Sequence, residues 1–297
     1  MGVVTQTQAN RLKNGIGILQ SLLILGGMMI VGLFIASSVI SLTSGGELNR
    51  EAVLWGSVAQ NALAFILPAV LLPSFIGRNT REWLNVKPHG NLLVYIGLIL
   101  MIAASLPAMH VLIDLNESLR FPESMSSFEQ TLRAMEEKGS ASSALVLANN
   151  TVGQLIVSVL AVGVLTGIGE EFFFRAGVQN ILTRFGIRPV WAIAIAATIF
   201  SAAHFQFFGF FPRLVLGAWF GWLYWCYRSI WPAATAHALN NTLVVVSTWA
   251  IDRGYLSSDF EMYGVPESRG WIMAIASIGL CMLVFRLCFR KITSNEG

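Results

Sequence analysis

The apolar residues of this chain are gathered into long runs that are separated by short polar segments. A hydrocarbon core about 30 Å thick is crossed by ~20 helical residues, and most of the runs reach that length. The pattern therefore predicts an all-α, polytopic membrane protein with about eight transmembrane helices in a bundle around an intramembrane cavity. The predicted spans are residues 16–42, 52–76, 91–113, 144–183, 189–208, 212–228, 230–250 and 270–289.

Two longer polar segments are predicted to lie outside the membrane. In residues 114–143, the sequence Ser127-Phe128-Glu129-Gln130 resembles a capping box, and apolar residues follow at helical spacing until Gly139. This pattern predicts a short amphipathic helix on the membrane surface, which either covers the bundle or gates it. Segment 251–269 carries several acidic residues and is typical of a solvated connector.

The composition excludes an ordinary soluble domain. Hydrophobic residues make up 55% of the chain and charged residues only 12%, whereas a soluble domain has roughly 25% charged residues. The net charge of +3 is small, and most basic residues fall on one side of the predicted spans, so we predict that both termini lie in the cytoplasm. We expect a multi-pass protein of a bacterial inner membrane that contacts the lipid bilayer and binds no nucleic acid.

The chain is predicted to have three regions and no internal repeat. Residues 1–143 would form a three-helix membrane region with the external helix, residues 144–250 a helical core, and residues 251–297 an external loop with the last transmembrane helix. Gly217 and Gly221 have the small-x-x-x-small spacing that lets helices approach closely, so they are interpreted as packing residues.

The three cysteines are interpreted as small apolar residues. They lie in apolar runs and lack the spacing of a disulfide framework or a zinc motif. They are Cys226, Cys281 and Cys288.

Two carboxylates and a guanidinium interrupt the fourth apolar run. Each ion costs roughly 2.5–3.5 kcal/mol or more if it faces lipid. Glu170, Glu171 and Arg175 therefore require either polar partners or a place at the membrane surface, where Glu171 and Arg175 could pair at i,i+4.

Two of the four histidines also lie within apolar runs. His204 is in the fifth predicted span, and His237 is in the seventh, with Asn241 one turn later on the same face. Ionisable residues inside a membrane face a bundle interior or a wet cavity and are functional candidates by default. The acids and histidines occupy three different predicted helices, so they can converge on one cavity.

A carboxylate with two imidazoles is suited to the activation of water. A glutamate in an apolar site can take a proton from water, and a histidine can share it. An asparagine and a second histidine can donate hydrogen bonds to a developing oxyanion. Glu170, His204 and His237 could equally hold Zn²⁺ and leave a fourth position for water. Both mechanisms stay open, although the chain lacks the His-Glu-x-x-His helix of zincins.

Three short motifs, in this order on successive predicted helices, resemble those of the CPBP intramembrane proteases. That family groups the type II CAAX prenyl proteases with the bacteriocin-processing or abortive-infection (Abi) proteins, and its core corresponds here to about residues 144–250. The motifs are Glu170-Glu171-x-x-x-Arg175, Phe200-x-x-x-His204 and His237-x-x-x-Asn241.

The resemblance implies an eight-helix protease whose active site lies within the bilayer and whose partner is a membrane-associated protein or peptide substrate. Glu170 would activate water together with His204, and His237 with Asn241 would stabilise the oxyanion. The cofactor would be none or Zn²⁺. The residues expected to support the site are Glu171, Arg175 and Phe200.

These roles require the fourth helix to carry Glu170 into the membrane, to the depth of a histidine. If it ended at Ile168, Glu170 would lie at the membrane surface, whereas His204 would lie ~22 Å deep at 1.5 Å per residue. The apolar run continues past the acids, so the helix is longer than a span and must tilt or break. Glu170 must then come close to a histidine.

Two other functions fit the same residues. A non-catalytic membrane-binding or bacteriocin-immunity protein could use the polar cluster to hold a partner. A proton-coupled transporter could use it as a relay, although the chain lacks the internal repeat typical of many transporters.

Overall fold

The computed structural model describes residues 16–257 and 270–289, and every regular element in these two segments is helical. The all-α prediction is confirmed for this part of the chain. The helices are α1 (Ile18–Ser44), α2 (Arg50–Phe75), α3 (Thr80–Leu84), α4 (Leu92–Glu117), α5 (Ser126–Leu147), α6 (Val152–Arg184), α7 (Pro189–Ala202), α8 (Phe210–Tyr227), α9 (Ile230–Asp252) and α10 (Gly270–Phe289).

Five helices in the described segments are long and apolar enough to cross a membrane, namely α1, α2, α4, α6 and α10. This length and composition indicate an integral membrane protein, but the predicted count of about eight spans is not confirmed. The other three apolar helices are too short or too polar for this count. Helix α7 has only 14 residues, and α8 and α9 are continuous but contain polar side chains such as Arg213, His237 and Asn240. These three helices lie where spans 189–208, 212–228 and 230–250 are predicted.

The predicted fourth span, 144–183, is divided differently in the structure. Residues 144–147 are the end of α5, and α6 begins at Val152. The Thr151 side chain accepts a hydrogen bond from the backbone N–H of Gln154 and so caps α6. The start predicted from hydropathy is wrong because only four residues, 148–151, separate the apolar end of α5 from the apolar start of α6.

Helix α5 also corrects the prediction for the external segment. It passes through Gly139, and its N-cap residue Met125 provides no capping side chain. Ser127 is the second residue of the helix and so is not its N-cap, and Glu129 accepts a hydrogen bond from the Phe121 backbone N–H. Gly139 serves close packing instead, because a Cβ there would lie 3.0 Å from the side-chain nitrogen of Gln206.

The second segment that was predicted to lie outside the membrane, 251–269, is described only in part. Helix α9 reaches Asp252, which lies in the predicted connector. Residues 258–269, with Asp259, Glu261 and Glu267, lie outside the described residues.

Helix α6 lies in the middle of the bundle and contacts α2, α7, α8 and α9. It carries the three consecutive phenylalanines that follow the two acids. The Phe173 ring centroid is 5.5 Å from that of Phe65 on α2, and the Phe174 centroid is 5.2 Å from that of Phe200 on α7. These buried rings fix the axial position of the preceding acidic turn.

Two segments of α6 adopt π-helical geometry, Val159–Leu165 and Phe172–Gln179, on either side of the turn with the acids. Such turns are rare and are found frequently at functional sites. A backbone carbonyl that a wider turn leaves free inside a membrane needs another donor. The indole N–H of Trp83 donates to the carbonyl oxygen of Ala176 at 3.0 Å and provides one.

Glycines bring α6 directly against α9. A Cβ on Gly167 would lie 2.5 Å from the backbone nitrogen of Ala238, and one on Gly163 would lie 2.5 Å from the Thr242 hydroxyl oxygen. The backbone of α6 therefore touches α9 one turn before Glu171, and side chains of the next turn face His237.

Gly217 and Gly221 on α8 pack as predicted. A Cβ at Gly217 would lie 3.0 Å from the Phe200 ring, and one at Gly221 would lie 2.6 Å from the side-chain oxygen of Gln179. The interpretation of this pair as packing residues is confirmed.

We expect Gly167→Ala to lower the free energy of unfolding by about 1–3 kcal/mol, because the added methyl group meets backbone atoms that no rotamer change can move. The measurement is thermal unfolding of the purified protein in detergent. Gly26→Ala in α1 is the matched control, since nothing lies within 4 Å of its added Cβ. Equal unfolding temperatures for the two variants would contradict the close approach of α6 and α9.

A pH dependence is expected at the start of α5. The backbone N–H of Phe121, and then the hydrogen bond from Arg133, hold the pKa of Glu129 below its ordinary value. Stability from a lowered folded-state pKa is present above the unfolded-state pKa and is lost as the pH falls through the folded-state value. At neutral pH, amide hydrogens of residues 119–135 should exchange more slowly in the wild type than in Glu129→Gln. The two proteins should exchange alike in acid, and a difference that persists there would refute the assignment.

Candidate active site

Glu171 and Arg175 form an ion pair in the centre of the protein. Both side chains are 0% exposed, and Arg175 Nε lies 2.8 Å from Glu171 Oε2. The angle of that contact falls short of a hydrogen bond, whereas Arg175 Nη2 donates to Glu171 Oε1 at 3.3 Å. The alternative in which this pair lies at a solvated helix end does not fit this burial.

His237 lies between the two acids. Its Nδ1 is 2.9 Å from Glu171 Oε1, and its Nε2 is 3.5 Å from Glu170 Oε2. The imidazole is 5% exposed and the Glu170 side chain 10% exposed. The long α6 helix therefore carries its acids into the bundle, and the requirement that Glu170 come close to a histidine is met at His237.

Each acid of this cluster has a charged or polar partner. The permanent positive charge of Arg175 compensates the carboxylate of Glu171. Glu170 faces the imidazole of His237, and Arg213 is near enough to interact with it electrostatically. An uncompensated charge costs several kcal/mol in a buried site, so these partners lower the cost of burying the two acids.

Aromatic rings enclose the imidazole. The Phe220 ring stacks on His237 with centroids 4.7 Å apart, and the Phe200 ring meets it edge-on at 5.7 Å. The Arg175 guanidinium carbon lies 5.3 Å from the Phe200 centroid. Phe200 thus contacts His237 and the ion pair, and it also reaches the second motif histidine, His204, at 5.0 Å.

His204 is not inside a helix, which corrects the predicted span 189–208. Helix α7 ends at Ala202, and His204 lies in the turn that follows. Its Nδ1 is 2.9 Å from the carbonyl oxygen of Phe200, so Nε2 is the nitrogen left for chemistry. The next residue, Phe205, has φ 54°, which is unusual for a bulky side chain and is found at functional sites more than elsewhere.

Asn241 is half-buried one helical turn after His237. Its Oδ1 accepts a hydrogen bond from Asn240 Nδ2 at 3.4 Å, which leaves its own N–H groups to donate. The described contacts join neither Asn241 nor His204 directly to a glutamate. The structure therefore brings together Glu170, Glu171, Arg175 and His237, with Phe200 in contact, and places the other two residues beside this cluster.

The residues considered as zinc ligands do not form a ready metal site. Residues 16–257 and 270–289 contain no group of three or more histidine, cysteine or acidic residues arranged to hold a metal ion. Both ring nitrogens of His237 already face carboxylates. Glu170, His204 and His237 thus do not fit a metal in this arrangement.

Asn61 on α2 supports the acidic turn and was not predicted from the sequence. It is 2% exposed, and its Nδ2 donates to the Thr166 hydroxyl at 3.0 Å. A Cβ on Gly169 would lie 2.7 Å from Asn61 Oδ1. An amide within an apolar run is a signal of the kind that identified His204, so the sequence did contain a basis for finding Asn61.

A cavity of about 420 Å³ lies next to the cluster, lined by residues of α4, α5, α8 and α9 and of the turn before α8. Its wall on α9 begins at Asn240, one turn after His237, and its wall on α8 includes Arg213 and Leu216. Glu170 and the motif histidines do not themselves line it, but Gln206, two residues after His204, does.

Helix α5 covers the turn that follows α7. The Glu136 carboxylate accepts a hydrogen bond from the Phe208 backbone N–H at 3.0 Å, and the Arg133 guanidinium lies 3.9 Å from the Phe208 centroid. The predicted cover of the bundle is thus attached to the segment that carries His204.

Comparison with known proteins agrees with this geometry. Residues 152–243 match a family model described as type II CAAX prenyl endopeptidase Rce1-like. No curated protein and no solved structure matches the chain. The matched segment runs from the first residue of α6 into α9 and includes all three motifs. The resemblance predicted from these motifs is thereby confirmed: residues 152–243 are similar to the Rce1-like type II CAAX prenyl endopeptidases.

Proposed function

We propose that the protein is an intramembrane endopeptidase that hydrolyses a peptide bond in a membrane-associated protein or peptide. The observation that carries the proposal is the buried chain of contacts Glu171–His237–Glu170, which ends next to a cavity. It lies within the segment that matches an endopeptidase family. A site that only held a partner would not need two carboxylates on one imidazole.

The two acids have different roles in this proposal. Glu171 is fully buried and is held by Arg175 and His237, so it positions the imidazole and compensates charge. Glu170 is held less tightly, at 3.5 Å from His237, and keeps some exposure. We assign Glu170 as the general base, because an acid in a largely apolar site can accept a proton from water.

The reaction follows from these positions. Glu170 takes a proton from a water molecule as the water oxygen attacks the carbonyl carbon of the scissile bond. The tetrahedral intermediate then collapses, the C–N bond breaks, and the leaving nitrogen receives the proton that Glu170 took. The products are a carboxylic acid, which then loses its proton to solvent, and an amine. His204 assists by orienting the water through Nε2 and sharing its proton.

The developing oxyanion needs hydrogen-bond donors in a low-dielectric site. Asn241 has N–H groups to donate, and His237 can shift the proton of Nε2 from Glu170 to the oxyanion when Glu170 becomes protonated. Phe200 and Phe220 keep the imidazole plane fixed. Every step uses groups of this chain, and none requires a metal.

We expect Glu170→Gln to lower kcat for a membrane-anchored peptide by about 10²- to 10⁴-fold, since removal of a general base has this effect. The assay is cleavage in proteoliposomes, followed by mass spectrometry of the products. Glu47→Gln is the control, because Glu47 is exposed in the loop between α1 and α2. Cleavage by Glu170→Gln at the wild-type rate would remove Glu170 from the mechanism. A non-catalytic binding protein would show no cleavage with either protein.

A second prediction concerns metal dependence. Incubation with a strong zinc chelator should leave the cleavage rate unchanged, because the acids and His237 satisfy one another. The rate is compared before chelation, after it, and after addition of Zn²⁺ to the same sample. Loss of activity that Zn²⁺ restores would show that Glu170, His204 and His237 rearrange around a metal.

A further inference from the structure

Arg213 lies at the start of α8 in the wall of the cavity, and its guanidinium is held in one place. Nη1 donates to the backbone carbonyl oxygen of Gln206 at 3.2 Å, and Nη2 donates to the Gln206 side-chain oxygen at 2.5 Å. Gln206 is itself packed against Gly139 of α5. The position of the cation is therefore fixed by two neutral oxygen atoms that belong to the turn after His204.

Gly209 makes room for this guanidinium. A Cβ at Gly209 would lie 2.7 Å from Nη1 and 2.8 Å from Nη2 of Arg213, so any other residue would displace the cation from the backbone. The turn 206–209 thus forms a cradle for a guanidinium: Gln206 provides the hydrogen-bond acceptors, and Gly209 leaves the space that the guanidinium occupies.

No carboxylate in the described residues forms an ion pair with Arg213. Glu136 and Glu170 are near enough to interact with it electrostatically, but Glu136 Oε2 accepts the backbone N–H of Phe208 instead. Two of the guanidinium nitrogens contact Gln206, and a guanidinium has five N–H donors. A fixed cation with spare donors in the wall of a cavity is suited to an anionic ligand.

We propose that Arg213 is a substrate-binding residue that pairs with a carboxylate of the peptide in the cavity beside Glu170. The proposal rests on the endopeptidase function proposed above and adds a determinant of specificity to it. The carboxylate is either the C-terminal one of the substrate or that of an acidic side chain. Glu117 and Glu136 also line the cavity, so a carboxylate with one charge is favoured over a phosphate with two.

The test compares cleavage of three otherwise identical membrane-anchored peptides. One has a free C-terminus, one has a C-terminal amide, and one has the free C-terminus with its acidic side chains replaced by amides. In the wild type, loss of the recognised carboxylate should raise KM roughly 10- to 100-fold, as for a lost hydrogen bond to a charged group, with little change in kcat. Whichever replacement raises KM identifies the source of the carboxylate.

Two variants test whether Arg213 makes this distinction. Arg213→Gln should show the raised KM for every peptide and no preference among them. Gly209→Ala keeps the charge but displaces the guanidinium, so it should reduce the preference as well. Arg81→Gln, at an exposed arginine of α3, is the matched control and should keep it. Thermal unfolding of each variant establishes that it is folded.

The outcomes separate the two proposals. If the wild type cleaves all three peptides with the same KM, or if Arg213→Gln keeps the preference, the role of Arg213 is overturned while the endopeptidase stands. If no peptide is cleaved, the endopeptidase fails, and binding of fluorescent versions of the three peptides decides on Arg213. Tighter binding of the carboxylate peptide that Arg213→Gln abolishes supports the role, and equal binding overturns it.

Discussion

The buried ion pair of Glu171 and Arg175 is the constraint on which the rest of the structure depends. Removing one partner of such a pair typically costs about 3–5 kcal/mol, because an uncompensated charge stays behind. The Phe200 ring lies over the guanidinium, and Glu171 Oε1, which accepts a hydrogen bond from Arg175, is also 2.9 Å from His237 Nδ1. That contact requires α9 at backbone distance, which Gly163 and Gly167 allow. The close packing of α6 against α9 is therefore also what brings His237 to the buried ion pair.

The sequence predicted the composition of the site better than the architecture that holds it. Polar groups in apolar helices are costly, so their convergence could be inferred from the order of residues alone, and Glu170 indeed lies beside His237. Helix limits depended on hydropathy, which does not register a turn between two apolar helices. For that reason the break before Val152 and the end of α7 before His204 were missed. The roles assigned to the motif residues stay predictions.

Other residues around the site were missed because their signals are ambiguous in a linear sequence. Arg213 lies at the start of the predicted span 212–228, and an arginine at such a position is normally interpreted only as a sign of which side of the membrane the adjoining loop is on. Only its cradle on Gly209 and Gln206 shows that it is fixed in a cavity wall. The same turn holds the backbone N–H that binds Glu136 of α5. Helix α5, the arginine and His204 are thus joined by a few residues, and movement of α5 would reach all of them.

Because a π-helical segment follows Glu171, the directions of the site residues on α6 depend on the number of residues in that segment. Neighbouring residues on an α-helix point about 100° apart, and Glu170 and Glu171 use that angle to meet opposite nitrogens of one ring. The wider turn Phe172–Gln179 then sets where Arg175 and the later polar side chains emerge. Insertion or deletion of one residue there would rotate one half of the helix against the other. Among homologues, this stretch should therefore keep its length as well as Arg175.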